Sequence, residues 1–279
     1  MSRHKPFITL LAFILLCVNA ITTAAQTAPV NIIILGDSNI WLAGDSCDNH
    51  TGWTAWMKDS LQPRSCVSYA RSGASWSHTD ETKKNTKENI SVLGNDNVIY
   101  NQVMRLQEDH ADSKLPKPDI IIIACGGNDA WFAHKRPHEF SQSVNEAFAL
   151  PASALLSKSP GEVTSLPGAI RYDCLLLKQL FPDARIIFTT STPMVKVEPE
   201  MLGRVCDIIE HSGDRMGITT LRLDKAGLIS RDDEKKAHIH TYDGIHTNEK
   251  GAEKVGRYVA EKLRKIIGCN LSGKCNNCK

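Results

Sequence analysis

The sequence of 279 residues predicts a doubly wound α/β fold built around a mostly parallel β-sheet. Three short apolar runs, rich in β-branched residues and without polar alternation, are typical of strands that helices cover on both faces. Helical stretches lie between these runs, and an alternation of strands and helices indicates βαβ units in a layered architecture. The three runs are Val30–Leu35, Ile120–Ala124 and Arg185–Thr190.

Two weaker strand candidates, Cys66–Ala70 and Thr219–Leu223, bring the predicted sheet to five strands. The last predicted helix has the clearest amphipathic stripe, because Val255, Val259 and Leu263 recur at helical spacing. Five helices are predicted in all, at about Thr51–Leu61, Tyr100–His110, Pro167–Leu180, Glu198–Ser212 and Asn248–Ile267.

Two long polar segments interrupt this pattern, and neither is predicted to link separate domains. Ala74–Asn97 is charge-rich and is interpreted as a surface excursion. His134–Leu166 is a second excursion, predicted to be partly helical around Gln142–Ser157. We therefore expect residues 26–279 to form a single domain that ends in a short cysteine-containing tail at 268–279.

Charge and composition exclude several functional classes. The chain carries 33 Lys and Arg against 31 Asp and Glu, a formal net charge of +2, which gives no basic field for a nucleic acid. Its 42% hydrophobic content is too high for a disordered chain, and the sequence has no fibrous or solenoid repeat. A globular protein with a substantial core remains, and we expect no nucleic-acid partner.

The first 25 residues are interpreted as a cleaved secretory signal. Arg3 and Lys5 precede the apolar run Phe7–Val18, which is too short to span a bilayer comfortably. Thr23 and Ala25 then occupy the small-residue positions of a signal-peptidase site. We expect cleavage near Ala25, a mature protein that is secreted or periplasmic, and no stable membrane anchor.

Eight of the nine cysteines remain once Cys17 is removed with the signal, and an even number in a secreted chain favours disulfides. The pairing stays open, because eight thiols allow many connectivities. Cys275 and Cys278 are interpreted as a tail staple with Cys269, since one CxxC pair alone is weak evidence for a metal site. Cys125 ends an apolar run and is interpreted as a buried free thiol.

Small and polar residues follow three of the predicted strands, at the edge where parallel sheets gather their chemistry. These blocks are Gly36–Asn39, Arg71–Ser75 and Gly126–Asp129, and a fourth, Asp243–His246, stands just before the last helix. Ester hydrolysis needs a serine within reach of a histidine base, a carboxylate that orients the histidine, and fixed donors for the oxyanion. The four blocks contain each of these groups.

Ser38 is predicted to be the nucleophile, His246 the general base, and Asp243, three residues earlier, the partner of the base. The backbone N–H groups of Ser38 and Gly73 and the side-chain amide of Asn128 are the predicted oxyanion donors. Glycine suits this role because it lets the backbone approach a ligand closely. Asp129, in contrast, is interpreted as a structural residue.

Taken in this order, the four blocks resemble those of the SGNH/GDSL hydrolase family, and the resemblance covers about Asn31–Ile267. It implies a flavodoxin-like, three-layer α/β/α sandwich. It also implies an esterase, lipase or carbohydrate-deacetylating activity without a cofactor. The residues that match the family's functional positions are Ser38 as nucleophile, Gly73 and Asn128 as oxyanion donors, and His246 and Asp243 as base and partner.

Two positions depart from the family pattern. Asn39 stands where the family's name has Leu, a change that we expect to be tolerated because this side chain makes and breaks no bond. Arg71 stands where Asn often precedes the glycine of the second block, and it is expected to alter the charge near the pocket. The sequence also differs from the Gly-x-Ser-x-Gly elbow of α/β-hydrolases, because Ile40 occupies the position of the second glycine.

A rival interpretation makes the same region a zinc site. His238 and His240 alternate and precede Asp243 and His246, a pattern that metal sites use. Asp243 and His246 cannot serve both schemes, and we predict the serine mechanism with neither metal nor cofactor. A nucleophilic Cys125 is disfavoured, since burial should raise the pKa of its thiol. A non-catalytic glycan-binding relative is a further alternative, and it would require a misassembled triad.

Trp41, Trp76 and Trp131 each lie three residues beyond a predicted oxyanion donor. We predict that they form an aromatic rim around the pocket, because aromatic faces stack on sugar rings. The alternative is that they fill the core beneath the loops. A small-molecule or glycan ester is therefore the expected substrate, with O-acetyl groups on carbohydrate as the first choice and lipid or lysophospholipid esters as the second.

Overall fold

The computed structural model describes residues 29–87 and 94–271. In this part of the chain, five strands form one sheet in the order β2-β1-β3-β4-β5, and every neighbouring pair is parallel. The predicted five-stranded sheet is thus confirmed, and its strand order is that of a flavodoxin-like fold. The strands are β1 (Asn31–Gly36), β2 (Ser65–Ser68), β3 (Ile120–Ala124), β4 (Arg185–Thr189) and β5 (Thr219–Leu221).

Helices follow every strand in the described residues. They are α1 (Ser38–Trp41), α2 (Trp53–Leu61), α3 (Ile99–Ala111), α4 (Gly127–Trp131), α5 (Val144–Ala149), α6 (Ala152–Leu156), α7 (Leu166–Leu180), α8 (Pro199–Met216), α9 (Arg231–Ala237) and α10 (Glu249–Leu271). One face of the sheet packs against α2 and α10, and the other packs against α3, α7 and α8. The result is the expected α/β/α sandwich.

Strand β1 shows why its sequence has no polar alternation. Successive side chains of a strand point to opposite faces of the sheet. Ile33 and Leu35 belong to the core on the side of α3, α7 and α8, whereas Ile32 and Ile34 belong to the core beside α2 and α10. All four side chains are buried, so both faces of the strand require apolar residues.

Three helices were not predicted from the sequence. Helices α1 and α4 are only four and five residues long, too short for a hydrophobic period, and each begins where a strand ends. Helix α9 is rich in charged residues and has little apolar stripe. A further correction concerns the tail predicted at 268–279, because α10 continues to Leu271.

Several sequence predictions fall outside the described residues. These are the signal at 1–25, Cys275 and Cys278, and also the side chain of Cys269. Within the described residues, no helix combines the length and the apolar character needed to cross a bilayer. Cys125 is a buried free thiol, as predicted. Cys47, Cys66, Cys174 and Cys206 are buried free thiols too, so the disulfides that the cysteine count favours are not present among these five residues.

The strand order decides where a ligand can bind. Strand β1 lies between β2 and β3, and the chain winds outward in opposite directions from this point. Doubly wound sheets bind ligands in the crevice beyond the carboxyl ends of the strands at such a switch. The first and third polar blocks, which follow β1 and β3, therefore lie side by side at that crevice.

Candidate active site

The turn after β1 presents Ser38 at the start of α1. Asp37 caps this helix, because its side chain accepts a hydrogen bond from Asn39 N at 3.1 Å. The turn is close to β3: a Cβ atom on Gly36 would lie 2.5 Å from the carbonyl oxygen of Ala124. Only glycine lets the two strands end this close together, and this approach brings Ser38 beside the block that follows β3.

Burial changes the protonation of Asp37 itself. Removal from water raises the pKa of this carboxyl to about 7. The hydrogen bond from Asn39 N opposes the rise, and the nearby Asp129 adds to it. Asp37 is therefore a mixture of neutral and ionised forms near neutral pH, and we assign it the role of helix cap.

The loop before α10 holds a histidine and its carboxylate as one unit. Asp243 Oδ1 accepts hydrogen bonds from Ile245 N at 2.9 Å and His246 N at 2.7 Å. Its Oδ2 lies 2.6 Å from His246 Nδ1. The opposite ring nitrogen, Nε2, lies 2.9 Å from Ser38 Oγ, although 208 residues separate the two in the sequence. A continuous hydrogen-bond chain thus joins Ser38, His246 and Asp243.

The environment of Asp243 favours its ionised form. Partial burial acts to raise the pKa of this carboxyl, but the hydrogen bonds from the backbone and ring of His246 and from Ile245 N outweigh it and hold the pKa below its ordinary value. A carboxylate in this state stabilises a protonated imidazole and fixes the tautomer of the neutral one. The trio can therefore withdraw a proton from Ser38 and return it.

The second and third blocks bring hydrogen-bond donors to the same place. Gly73 adopts a φ of +81°, which glycine tolerates far better than other residues. The Asn128 amide donates one hydrogen bond to Ala74 O at 2.8 Å, which orients the group while leaving its second N–H. Gly73, Asn128 and Ser38 line one pocket of about 170 Å³ together with His246.

The pocket wall is largely apolar. Trp131 and Phe132 stack on each other with ring centroids 4.9 Å apart, and both line the pocket beside Met194 and Ile245. Two exposed lysines lie over these rings. Lys196 Nζ is 5.5 Å from the Trp131 centroid, and the Lys135 ammonium lies in the same way over Phe132.

A comparison with models of protein families identifies the family of this chain. The model of the GDSL-like lipase/acylhydrolase family matches residues 34–254, well over half of the chain. The chain belongs to this family. It is therefore an ester-bond hydrolase. None of the curated proteins compared with the chain matched it.

Solved structures are similar to this GDSL-like hydrolase at low sequence identity. A Bacteroides ovatus protein, provisionally named a GDSL-like lipase, has a TM-score of 0.54 and 17% identity, covering 85% of this chain and 99% of its own. A Bacteroides uniformis protein with the same provisional name has a TM-score of 0.54 and 18% identity, with coverages of 85% and 97%. For a Lactobacillus plantarum protein the values are 0.56, 13%, 85% and 98%. These similarities support the fold.

The predicted tryptophan rim is wrong for Trp76. This side chain is fully buried and packs edge-on against Phe188, with ring centroids 5.4 Å apart, so it fills the core beneath the loops. Trp41 is 47% exposed at the end of α1 but does not line the pocket. Of the three tryptophans, Trp131 alone is in the pocket wall.

The structure also shows the surroundings of Asp129 and Arg71. Asp129 is fully buried and accepts hydrogen bonds from the backbone N–H groups of Trp76 and Ser77 and from Ser77 Oγ, a structural role as interpreted. Arg71, expected to alter the charge near the pocket, pairs with Asp45 at 2.8 Å, which neutralises much of its effect.

Sequence reasoning missed two aromatic neighbours of the site. Tyr242 is 56% exposed, and its ring stacks on that of His246 with centroids 5.6 Å apart. The signal was present, because Tyr242 directly precedes Asp243. Phe132 directly follows Trp131, but it stands outside the three-residue offset that the tryptophans share.

The side chains of the alternative zinc scheme are not gathered into one site in the described residues. His240 Nδ1 is 3.3 Å from Glu234 Oε1 rather than beside Asp243. The described residues contain no group of three or more His, Cys, Asp or Glu side chains arranged to hold a metal. Burial, together with the nearby carboxyls of Asp129 and Asp37, raises the pKa of the Cys125 thiol well above its usual range.

Proposed function

We propose that this hydrolase cleaves esters through an acyl-enzyme on Ser38. Ser38 Oγ attacks the carbonyl carbon while its proton passes to His246 Nε2, and Asp243 holds the resulting imidazolium. The alcohol leaves with that proton as the tetrahedral intermediate collapses, and water then releases the acid from Ser38 by the same route. The observation that carries this proposal is the hydrogen-bond chain from Ser38 Oγ to Asp243.

The oxyanion of the intermediate needs fixed donors. We assign this role to the N–H groups of Ser38 and Gly73 and to the free N–H of the Asn128 amide. All three residues line the pocket in which the Ser38 hydroxyl lies, and this shared position supports the assignment. Each such donor contributes about 3 kcal/mol to the stability of a transition state.

For the substrate, we propose O-acetyl groups on carbohydrate. The pocket of about 170 Å³ is smaller than the roughly 300 Å³ at which sites for drug-sized ligands begin, which favours a short acyl group. The rings of Trp131 and Phe132 beside it offer flat apolar surface of the kind on which sugar rings stack. A lipid ester is the second candidate, supported by the apolar side chains of Met194 and Ile245.

The test is hydrolysis of a panel of aryl acetates, long-chain aryl esters, acetylated glycans and lysophospholipids. Wild type should favour acetyl esters by at least about ten-fold in kcat/KM, and Ser38→Ala should lower kcat by at least about 10³-fold. A fluorophosphonate probe should label Ser38, and a chelator should leave activity unchanged. Preference for long acyl chains would support the lipid alternative, and near-normal activity of Ser38→Ala would contradict the serine mechanism.

We also propose export to an oxidising compartment, because the N-terminal sequence has the pattern of a secretory signal. A disulfide between Cys47 and Cys66 would accompany it. The two buried thiols are close enough to perturb each other, Cys66 lowering the pKa of Cys47 and Cys47 raising the pKa of Cys66, and Ser68 N donates to Asp45 O at 2.7 Å, which holds the two segments side by side. In this reaction the thiols lose two protons and two electrons to the disulfide of an oxidoreductase, which becomes a dithiol.

Cell fractionation, together with non-reducing peptide mapping of the isolated protein, tests both statements. We expect the protein outside the cytoplasm and a linked pair of peptides containing Cys47 and Cys66. Removal of residues 1–25 should retain the protein in the cytoplasm with both thiols reactive to alkylation. Free Cys47 and Cys66 in exported protein would contradict the disulfide, and cytoplasmic full-length protein would contradict export.

A further inference from the structure

The side chain of Asn39 links the helix that carries Ser38 to the loop that carries His246. Asn39 follows Ser38 directly in α1 and is half-buried. Its Oδ1 accepts a hydrogen bond from Thr247 N at 3.1 Å, and its Nδ2 donates a longer one to Ile245 O at 3.4 Å. The two backbone groups belong to the residues on either side of His246.

Other bonds tie the loop to distant segments, from Val195 N to Gly244 O at 2.8 Å and from Thr247 Oγ1 to Thr51 O at 3.4 Å, but neither reaches the helix of Ser38. Asp243 binds the backbone of Ile245 and His246, but it belongs to the same loop and moves with it. Asn39 is anchored instead in the nucleophile's own helix, one residue from Ser38. Its amide therefore constrains the distance between two segments that lie more than 200 residues apart, whereas Asp243 constrains only the shape of one of them.

We propose that Asn39 is a positioning residue that holds His246 Nε2 at hydrogen-bond distance from Ser38 Oγ. This proposal rests on the serine mechanism proposed above. Leucine, the residue in the family's name at this position, has no polar atom and can form neither bond. Restoring the family residue should therefore lower the activity of this chain, because its histidine loop is attached through the amide.

The experiment compares Asn39→Leu with wild type on an aryl acetate. We expect kcat to fall about 10- to 100-fold, because a displacement of the catalytic base by about 1 Å can slow a reaction by up to about 100-fold. KM should change less than about three-fold. Labelling of Ser38 by a fluorophosphonate should slow by a similar factor, since it needs the same base. Asn39→Asp keeps the acceptor for Thr247 N and should lie between wild type and Asn39→Leu.

Asn31→Leu is the matched control. Asn31 lies at the opposite end of β1, where its side chain donates to Lys117 O at 3.2 Å and accepts from Ser65 Oγ at 3.0 Å. The same substitution removes two bonds between distant segments there, so it measures the effect of lost stability alone. We expect Asn31→Leu to lower Tm and to leave kcat per folded molecule within about two-fold of wild type.

A proton NMR measurement separates positioning from collapse of the loop. The Nδ1–H of His246, bonded to Asp243, should keep its low-field resonance in Asn39→Leu, because that bond lies within the loop. Loss of the resonance, or a kcat equal to that of Asn31→Leu, would overturn the proposal. The serine mechanism fails separately, and only if Ser38→Ala remains active.

Discussion

The cleft around Ser38 surrounds Asp243 with hydrogen-bond donors, whereas the protein interior holds the carboxyl groups of Glu139 and Asp173 without them. In the cleft, Asp243 accepts hydrogen bonds from two backbone N–H groups and the His246 ring. In the interior, the side-chain oxygens of Glu139 in the second excursion (residues 134–166) and of Asp173 in α7 have no hydrogen-bond partner among the described residues. The nearby His78 Nε2 lies 3.6 Å from Asp173 Oδ1, beyond hydrogen-bond distance.

The pKa values of Asp243, Glu139 and Asp173 follow the supply of hydrogen-bond donors. Burial, reinforced by the nearby Asp129, raises the pKa of Glu139 to about 9, and burial likewise raises the pKa of Asp173. Asp243 keeps a pKa below its ordinary value, because its hydrogen bonds outweigh its partial burial. Asp243 stays charged because the backbone and His246 supply donors, whereas Glu139 and Asp173 take up protons because burial comes without them.

The largest expected effect comes from removing the charge in the cleft. Asp243→Asn should lower kcat about 10⁴-fold, as loss of the same charge does in serine proteases, because the neutral amide cannot stabilise the imidazolium or fix its tautomer. The amide oxygen can still accept the two backbone N–H groups, so Tm should change little. Steady-state kinetics with an aryl acetate and a thermal melt test this, and a kcat within ten-fold of wild type would contradict it.

The next largest effect is a pH dependence of stability that comes from protonated Glu139. Folded Glu139 keeps its proton up to about pH 9, whereas the unfolded chain releases it near the ordinary value of 4.5. Between these limits the folded state binds more protons, so the free energy of unfolding should fall by about 1.4 kcal/mol for each pH unit of increase. Below and above that window this contribution should be constant.

Glu139→Gln has no such proton to hold. Urea unfolding at several pH values should therefore show a slope between about pH 5 and pH 8 that is shallower than wild type by about 1.4 kcal/mol per unit. The variant should become the more stable protein at the alkaline end. Parallel curves for the two proteins would show that Glu139 ionises normally in the folded state.

The smallest kinetic effect is expected from Trp131 in the pocket wall. Trp131→Ala should raise KM for an acetylated glycan about five-fold, from the loss of roughly 1 kcal/mol of stacking, and leave KM for a small aryl acetate unchanged. Trp41→Ala is the control, because Trp41 is exposed outside the pocket and should affect neither value. Equal changes with both substrates would contradict a sugar-binding surface at Trp131.

Trp76, the third tryptophan at this offset, is expected to affect stability. Its truncation to alanine should destabilise the fold by about 3–5 kcal/mol, as expected for a buried aromatic side chain. Three tryptophans at one sequence offset thus predict three different outcomes, which kinetics and thermal melts can separate.

Most of the fold could be predicted from the sequence. Ile120–Ala124 was predicted with its observed bounds, because an unalternating β-branched run has few conformations that bury it on both faces. Helices α1 and α4 could not be predicted, since each is about one turn long and forms where a strand ends, next to another strand's loop. A single turn has too little period to be recognised and too few internal bonds to be stable alone.

The sequence by itself determined which chemical groups this protein carries and on which strand ends they stand, because turn residues and apolar periods are local properties. Tertiary structure alone decided that Trp76 is core while Trp131 faces the pocket, and that the Asn39 amide binds both neighbours of His246. Such outcomes depend on atoms from segments distant in the chain. Their distances follow from how helices and loops pack on the sheet, and no short stretch of residues encodes that packing.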